Sequence, residues 1–120
     1  MIESACHCGN VKLKIDAEVP ENLLSCNCSV CHRYGSLMAY FPEGKVKVDA
    51  APDATIRYTW GDKMLAFVHC KTCGCYSHWE GLPPKESDRM GVNARLFTNV
   101  KIDELPLRRF DGADTWKFLD

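Results

Sequence analysis

Residues 70–74 read Cys-Lys-Thr-Cys-Gly, a CxxC pair followed by glycine. This pattern is typical of a zinc knuckle, in which free backbone N–H groups can face the sulfurs. A second pair lies in Cys6-His7-Cys8-Gly9. In an extended segment, side chains at i and i+2 share a face, so these two thiolates can approach one ion, and the following glycine lets the backbone turn sharply. Two such pairs predict a closed, structural four-cysteine zinc site, formed by Cys6, Cys8, Cys70 and Cys73.

A third cluster, Cys26-Asn27-Cys28-Ser29-Val30-Cys31, lies between these pairs. Three protein ligands with one exchangeable position are the pattern of catalytic zinc. Because zinc with three thiolates carries net negative charge, it suits a soft fourth ligand, and an external thiol is the expected guest. Zinc would hold that thiol as a thiolate that can attack a small electrophile. Two residues, Cys75 and His32, remain as alternative fourth ligands that would close the site.

Composition restricts the class of protein. The chain has 120 residues, 46% of them apolar, a formal charge of −1 and eight cysteines. We expect one domain over residues 1–120, with neither nucleic acid nor membrane as a partner, because no strong charge and no long apolar run is present. The first residues lack the pattern of a signal peptide, which favours a cytoplasmic protein. Reduced thiols in tight clusters favour metal over disulfides, so we expect two zinc ions per chain.

The secondary-structure signals are mostly those of short strands. Val11, Leu13 and Ile15 alternate with polar residues, which is the period of a half-buried strand. The predicted strands cover residues 11–15, 36–41, 46–48, 56–60, 64–68 and 105–110. One or two helical turns are predicted around residues 94–100. The fold class is therefore predicted to be mainly β, with short strands tied together by metal.

The cysteine array resembles that of a known family. Cys6-x-Cys8-Gly9, Cys26-x-Cys28-x-x-Cys31-His32-Arg33 and Cys70-x-x-Cys73-Gly74 are similar to the motifs of the glutathione-dependent formaldehyde-activating enzymes, a family related to centromere protein V. Asn10-Val11, residues 90–95 (Met-Gly-Val-Asn-Ala-Arg) and Phe110-Asp111-Gly112 resemble its other motifs. The resemblance extends from Ala5 to Trp116.

The resemblance implies a β-tent fold of several small curved antiparallel sheets, shared with methionine sulfoxide reductase B and a Rab exchange-factor accessory protein. It implies that Cys6, Cys8, Cys70 and Cys73 match the structural zinc. It implies that Cys26, Cys28 and Cys31 match the catalytic zinc, near which glutathione binds. The reaction it implies joins glutathione to formaldehyde, giving S-(hydroxymethyl)glutathione, and is classed as a carbon–sulfur lyase activity.

Two other functions remain open from the sequence. The first is a non-catalytic, zinc-stabilised module that binds a protein partner, which would need two closed metal sites. The second is a sulfoxide reductase of the same fold, which would need a free nucleophilic cysteine, and the cysteine left over is Cys75. The sequence is also compatible with an oligomer. The enzyme interpretation, with a small-molecule thiol and an aldehyde as its partners, is favoured.

Several residues near the cysteines have both a functional and a structural interpretation. The histidines His7, His69 and His78 are expected to point away from the metals, as neighbours of ligands usually do. Arg33, Lys71 and Arg95 could bind the carboxylates of glutathione, although surface cations are commonly just solvated. Tyr34, Trp79 and Trp116 could line a pocket, although aromatic residues of a small β domain are mostly core.

Overall fold

The chain folds into short strands with very little helix, as seen in a computed structural model that describes residues 1–85 and 87–120. The strands are β1 (Ile2–Ala5), β2 (Lys12–Ile15), β3 (Leu23–Cys26), β4 (Met38–Pro42), β5 (Val46–Asp49), β6 (Thr55–Tyr58), β7 (Leu65–Cys70), β8 (Tyr76–Gly81), β9 (Arg89–Asn93) and β10 (Leu107–Phe110). One α-helix, α1 (Ser29–Tyr34), and three short 3-10 helices, Glu43–Lys45, Ala94–Leu96 and Ile102–Glu104, complete the described elements. The mainly β prediction is confirmed. Within the described residues, no helix is both long enough and apolar enough to cross a membrane.

The strands form two sheets. The small sheet has the order β1-β2-β5, and the large sheet has the order β10-β3-β4-β9-β8-β7-β6. Neighbouring strands are antiparallel except β10 and β3, which run parallel with Phe110 opposite Cys26. The parallel pair joins the end of the chain to the strand that enters the three-cysteine cluster, and the sequence analysis did not anticipate it.

The main core lies between the two sheets. Leu13 and Ile15 of β2 are buried, and Lys12 and Lys14 between them are exposed, so the alternation seen in the sequence places one face of the small sheet inward. That face packs on residues of the large sheet, including Val92. The opposite face of the large sheet carries a second buried cluster, formed by Met38, Phe67, Tyr76 and Trp79, and residues that include Val30 and Tyr34 pack against it.

The predicted helix around residues 94–100 is the short 3-10 helix Ala94–Leu96, which Asn93 caps by accepting a hydrogen bond from the backbone N–H of Arg95. A helix that was not predicted, α1, lies inside the middle cysteine cluster. The side chain of Cys28 caps its start by accepting from the backbone N–H of Cys31, and Gly35 ends it in a left-handed conformation. A helix of six residues is too short to show a period in its sequence.

On the face of the large sheet that lies away from the small sheet, the indole ring of Trp79 packs directly against the backbone of a glycine on the neighbouring strand. Gly91 of β9 lies under the indole ring of Trp79, and a Cβ atom at this position would overlap the ring. Tyr40 of β4 pairs with Gly91 on the other side, with its ring 6.2 Å from that of Trp79. The absence of a side chain at position 91 therefore lets the indole lie flat on the sheet.

We expect Gly91→Ala to destabilise the protein by about 1–3 kcal/mol, because a methyl group has to displace a buried indole. Chemical denaturation measures this change. Gly44→Ala is the matched control, since a Cβ atom there meets no atom within 4 Å. Equal stability of the two variants would show that Trp79 does not occupy this position.

Candidate metal centres and the cavity beside them

Four cysteines converge where the two sheets meet. Cys6 and Cys8 lie in the turn between β1 and β2, and Cys70 and Cys73 lie at and just after the end of β7. Their four sulfurs lie within 4.8 Å of one another, and the separations are 3.7 Å for Cys6–Cys8 and 3.5 Å for Cys8–Cys70. A tetrahedral zinc with Zn–S bonds of ~2.3 Å needs sulfurs about 3.8 Å apart, so the geometry and the soft donors fit zinc.

Backbone N–H groups donate hydrogen bonds to sulfurs of this four-cysteine cluster. The N–H of Val11 donates to Cys6 Sγ at 3.3 Å, and the N–H of Cys73 donates to Cys70 Sγ at 3.5 Å. Backbone N–H donors, first that of Cys75, lower the pKa of the Cys73 thiol to about 5. The glycines that follow the two pairs, Gly9 and Gly74, have φ angles of 84° and 80°, which only glycine adopts freely. These glycines make the turns that the sequence analysis predicted.

The middle cysteines form a second cluster. Cys26 ends β3, Cys28 caps α1, and Cys31 lies in the first turn of that helix. Their sulfurs also lie within 4.8 Å of one another, and each residue is half-buried. Backbone N–H groups donate to two of them, from Cys28 to Cys26 Sγ at 3.5 Å and from Cys31 to Cys28 Sγ at 3.4 Å. Burial raises the pKa of Cys26 and Cys31, so a bound cation would be needed to hold all three as thiolates at neutral pH.

The three-cysteine cluster has no fourth protein donor among residues 1–85 and 87–120. Cys75, which the sequence analysis left open as a fourth ligand, instead packs beside Cys6 and Cys70 of the other cluster. His32 follows Cys31 but is exposed and is not grouped with the three sulfurs. The described residues thus supply three ligands here and four at the other cluster.

Two of the three histidines near the cysteines, His69 and His78, form hydrogen bonds with groups other than the cysteines. His69 Nε2 lies 3.2 Å from the Tyr34 hydroxyl, and His78 is fully buried with Nε2 2.9 Å from Glu80 Oε1. The hydrogen bond from His78, followed by one from Arg57, lowers the pKa of Glu80 to about 2. Among the described residues, no histidine joins a cysteine cluster.

A large cavity opens beside the three-cysteine cluster. It has a volume of about 1070 Å³, and Cys26, Cys28 and Cys31 line one end of it. The face of the large sheet that lies away from the small sheet forms its floor, with Met38 and Tyr40 of β4, Trp79 of β8 and Phe67 of β7. Trp60 and Trp116 also line it, so all three tryptophans of the chain surround one space. Tyr34, by contrast, stacks on Tyr76 with ring centroids 4.4 Å apart.

The cations that line the cavity differ from those considered in the sequence. Arg33 donates to the carbonyl oxygen of Ser29 in its own helix, Arg95 donates to the carbonyl oxygen of Gly35, and Lys71 lies on a separate surface beside Thr72. Lys85 and Arg89 line the cavity instead. The available signal for Arg89 was its position directly before residues 90–95, one of the motifs that carried the resemblance.

A carboxylate fixes the three-cysteine loop to the C-terminal segment. Asp111 Oδ1 accepts from the side-chain amide of Asn27 at 3.0 Å, and its Oδ2 accepts from the hydroxyl of Thr115 at 2.8 Å and from the backbone N–H of the same residue at 3.1 Å. Asn27 Oδ1 in turn accepts from the N–H of Ala113 at 3.0 Å. The bond from Asn27 is the largest cause of the lowered pKa of Asp111. Because Asn27 lies between Cys26 and Cys28, this network sets the position of both sulfurs.

Gly112, the residue after Asp111, packs closely against the three-cysteine cluster. A Cβ atom on Gly112 would lie 2.6 Å from Cys26 Sγ and 3.2 Å from Cys28 Cβ. Its backbone N–H also stabilises the Cys26 thiolate by hydrogen bonding. The sequence analysis noted Phe110-Asp111-Gly112 as a motif without giving it a role, and the structure shows that this segment packs on the three-cysteine cluster.

Comparison with known proteins identifies a family and a similar fold among solved structures. The family model described as glutathione-dependent formaldehyde-activating enzyme matches residues 1–105. The fold is similar to the crystal structure of a Rhodobacter sphaeroides protein at 25% identity, with 88% of this chain and 98% of that chain covered and a TM-score of 0.73. No curated protein matches the chain. The family match contains all eight cysteines and ends before β10 and Asp111.

We expect Asp111→Asn to weaken metal binding at the three-cysteine cluster by ~10–100-fold, as is usual when a residue that orients metal ligands is changed. An amide presents one oxygen where the carboxylate presents two, so either Asn27 or Thr115 loses its acceptor. Competition titration with a chromophoric chelator measures the affinities of the two metal classes separately. Asp114→Asn, at an exposed neighbouring position, is the control. If the affinity of the weaker of the two metal sites is the same in Asp111→Asn as in the unchanged protein, Asp111 does not position the cysteine ligands.

Proposed function

This chain belongs to the glutathione-dependent formaldehyde-activating enzyme family, and we propose that it binds a thiol such as glutathione at the three-cysteine cluster and adds the thiol to an aldehyde such as formaldehyde. The product would be S-(hydroxymethyl)glutathione, and the activity would be of the carbon–sulfur lyase class. In this proposal Cys26, Cys28 and Cys31 hold a catalytic zinc. Cys6, Cys8, Cys70 and Cys73 hold a structural zinc, which makes two zinc ions per chain.

The observation that carries the proposal is the incomplete ligand set beside a cavity. Three sulfurs lie within 4.8 Å of one another, no fourth donor joins them among the described residues, and all three cysteines line the cavity. A purely structural zinc would have four protein ligands and no need of a neighbouring cavity. An exchangeable position that faces a cavity is what a ligand-binding metal requires.

The donor set determines the chemistry that the metal would add. Zinc held by these thiolates would supply a soft Lewis-acid position that lowers the pKa of an incoming thiol. The backbone N–H groups of Cys28, Cys31 and Gly112 stabilise the negative charge on the cysteine sulfurs. With three cysteine thiolates as ligands, the metal would have one remaining position for the sulfur of an incoming thiol.

Other residues of the cavity would orient the two substrates. Arg89 and Lys85 lie at its edge, where their charges suit the carboxylates of glutathione. Lys85 already contacts Glu43 at 2.9 Å, which leaves Arg89 as the stronger candidate. Burial raises the pKa of Tyr40, so its hydroxyl stays protonated and is available to donate a hydrogen bond to the carbonyl oxygen as the carbon–sulfur bond forms. The indole of Trp79 and the ring of Phe67 exclude water from the floor of the site.

The proposed division of the two metals predicts different effects of ligand loss. Cys70→Ser should strongly destabilise the fold, because structural zinc binding contributes free energy of folding. Cys28→Ser should keep the fold and lose one of two metals per chain, because its site is built from neighbouring residues. Thermal melts and elemental analysis measure the two effects. If Cys28→Ser unfolds the protein as readily as Cys70→Ser, the roles are not divided as proposed.

The open position can be observed directly after cobalt replaces zinc. Glutathione should shift the ligand-field bands of the three-cysteine site and release a proton, since a free thiol is mostly protonated at neutral pH. Cys28→Ser should abolish the shift. Cys75→Ser is the control and should preserve it, because Cys75 packs beside the other cluster.

The alternative function has its own signature in the same experiment. A non-catalytic module with two closed sites would give no shift with any thiol, and its cobalt spectrum would be that of two complete ligand sets. A shift with small thiols but none with glutathione would keep the open site and exclude glutathione as the guest.

A further inference from the structure

Trp116 is the most exposed of the three tryptophans, and it lies directly beside the three cysteines. Its exposed fraction is 71%, against 41% for Trp60 and 9% for Trp79. A Cβ atom on Gly112 would lie 2.6 Å from Cys26 Sγ and 3.5 Å from Cζ3 of the Trp116 indole. The indole and this sulfur therefore border the same small space, and both line the cavity.

The backbone holds Trp116 in a conformation that a bulky residue rarely adopts. Its φ angle is 59°, in the left-handed region, where a large side chain is strained. Two hydrogen bonds enforce this turn, from the N–H of Trp116 to the carbonyl oxygen of Asp111 at 2.7 Å and from the N–H of Asp111 to the carbonyl oxygen of Lys117 at 2.8 Å. Since the Asp111 carboxylate also accepts from Asn27, the loop that carries the indole is tied to the loop that carries the cysteines.

Burial in the core does not offset this strain. Phe110 contacts the Trp116 ring nearly at right angles, at 79° and 5.1 Å between ring centroids, and most of the indole stays exposed. Strained residues that the surrounding structure holds in place are concentrated at sites that bind ligands. A ligand that covers the indole would supply the contact that the core does not.

The part of glutathione nearest to its sulfur suits such a surface. The cysteinyl residue of glutathione has an amide on either side of its Cα atom, and both carboxylates lie at the ends of the molecule. An amide is planar and uncharged, so one face can cover an aromatic ring while its N–H and C=O stay hydrated. With bonds of ~1.5 Å, the nearest amide atom lies within ~4 Å of the sulfur. A sulfur bound at the three cysteines therefore brings this amide to Trp116.

We propose that Trp116 is a substrate-binding residue that selects thiols of the cysteinyl-peptide class. The face of its indole covers an amide next to the sulfur of glutathione, while the sulfur occupies the fourth position of the three-cysteine site. This inference rests on the proposed binding of a thiol at that site. Thiols that lack a neighbouring amide make no such contact with the indole.

The cobalt-substituted protein measures this contact, because its ligand-field bands report the binding of each thiol. Three thiols are titrated: glutathione, N-acetylcysteine amide, which has both amides and no carboxylate, and 2-mercaptoethanol, which has neither group. We expect Trp116→Ala to weaken binding of the first two by ~10-fold and binding of 2-mercaptoethanol by less than ~2-fold. Trp116→Phe should retain part of the affinity, since the smaller ring still has a flat apolar face. Trp116→Asn, which tolerates the left-handed backbone, should behave as Trp116→Ala.

Two controls separate contact with the substrate from an effect on the metal ligands. Leu119→Ala should bind all three thiols as the unchanged protein does, since Leu119 is an exposed apolar residue of the same segment that is not part of the cavity lining. The cobalt bands of Trp116→Ala before any thiol is added should equal those of the unchanged protein. Altered bands would overturn the inference, because Trp116 would then act through the cysteines.

The outcomes also separate this inference from the proposed function. An equal loss for all three thiols, or no loss, would overturn the role of Trp116 and keep the open site. A loss with glutathione alone would overturn the contact with the amide, because a carboxylate would then be the group affected. If no thiol shifts the bands of the unchanged protein, the proposed function and this inference both fail. The selective loss, in a protein that does not accelerate addition to formaldehyde, would support the role of Trp116 and overturn the addition.

Discussion

The approach of four cysteine sulfurs to one point is the constraint on which the rest of the structure depends. Cys6 and Cys8 belong to the turn of the small sheet, and Cys70 and Cys73 belong to the end of β7 in the large sheet. A metal ion bound by all four would fasten one sheet to the other, joining Cys8 and Cys70, which are 62 positions apart in the sequence. The apolar core between the sheets then fixes which face of the large sheet is covered, and the opposite face becomes the floor of the cavity.

The three-cysteine cluster has a different physical basis. Its sulfurs come from six consecutive residues, so little chain entropy is lost in bringing them together. Their exact directions depend instead on distant parts of the chain, since Asn27 is held by Asp111 and Cys26 is backed by Gly112. A metal at the first cluster would therefore hold the fold together, whereas the second cluster is positioned by the fold. This difference is what a structural metal and a ligand-binding metal require of a protein.

The sequence predicted the cysteine clusters and most strands because their signals are local. Spacing alone groups the ligands, and the alternation at Leu13 and Ile15 identifies β2. The parallel pairing of β10 with β3, the bond between Asn27 and Asp111, and the place of Arg89 at the cavity could not be predicted, because they depend on residues far apart in the chain. The helix α1 was not predicted, because cysteine is not one of the residues that commonly cap the start of a helix.

The difference between a complete and an incomplete ligand set can be measured by X-ray absorption at the zinc edge. The seven cysteines of the two clusters, shared between two ions in fully loaded, thiol-free protein, predict three and a half sulfurs per zinc on average and one lighter atom on half of the ions. Adding a stoichiometric thiol should raise the average to four sulfurs and remove the lighter atom. An average of four sulfurs before any thiol is added would contradict the open site, because both zinc ions would then have complete sets of protein ligands.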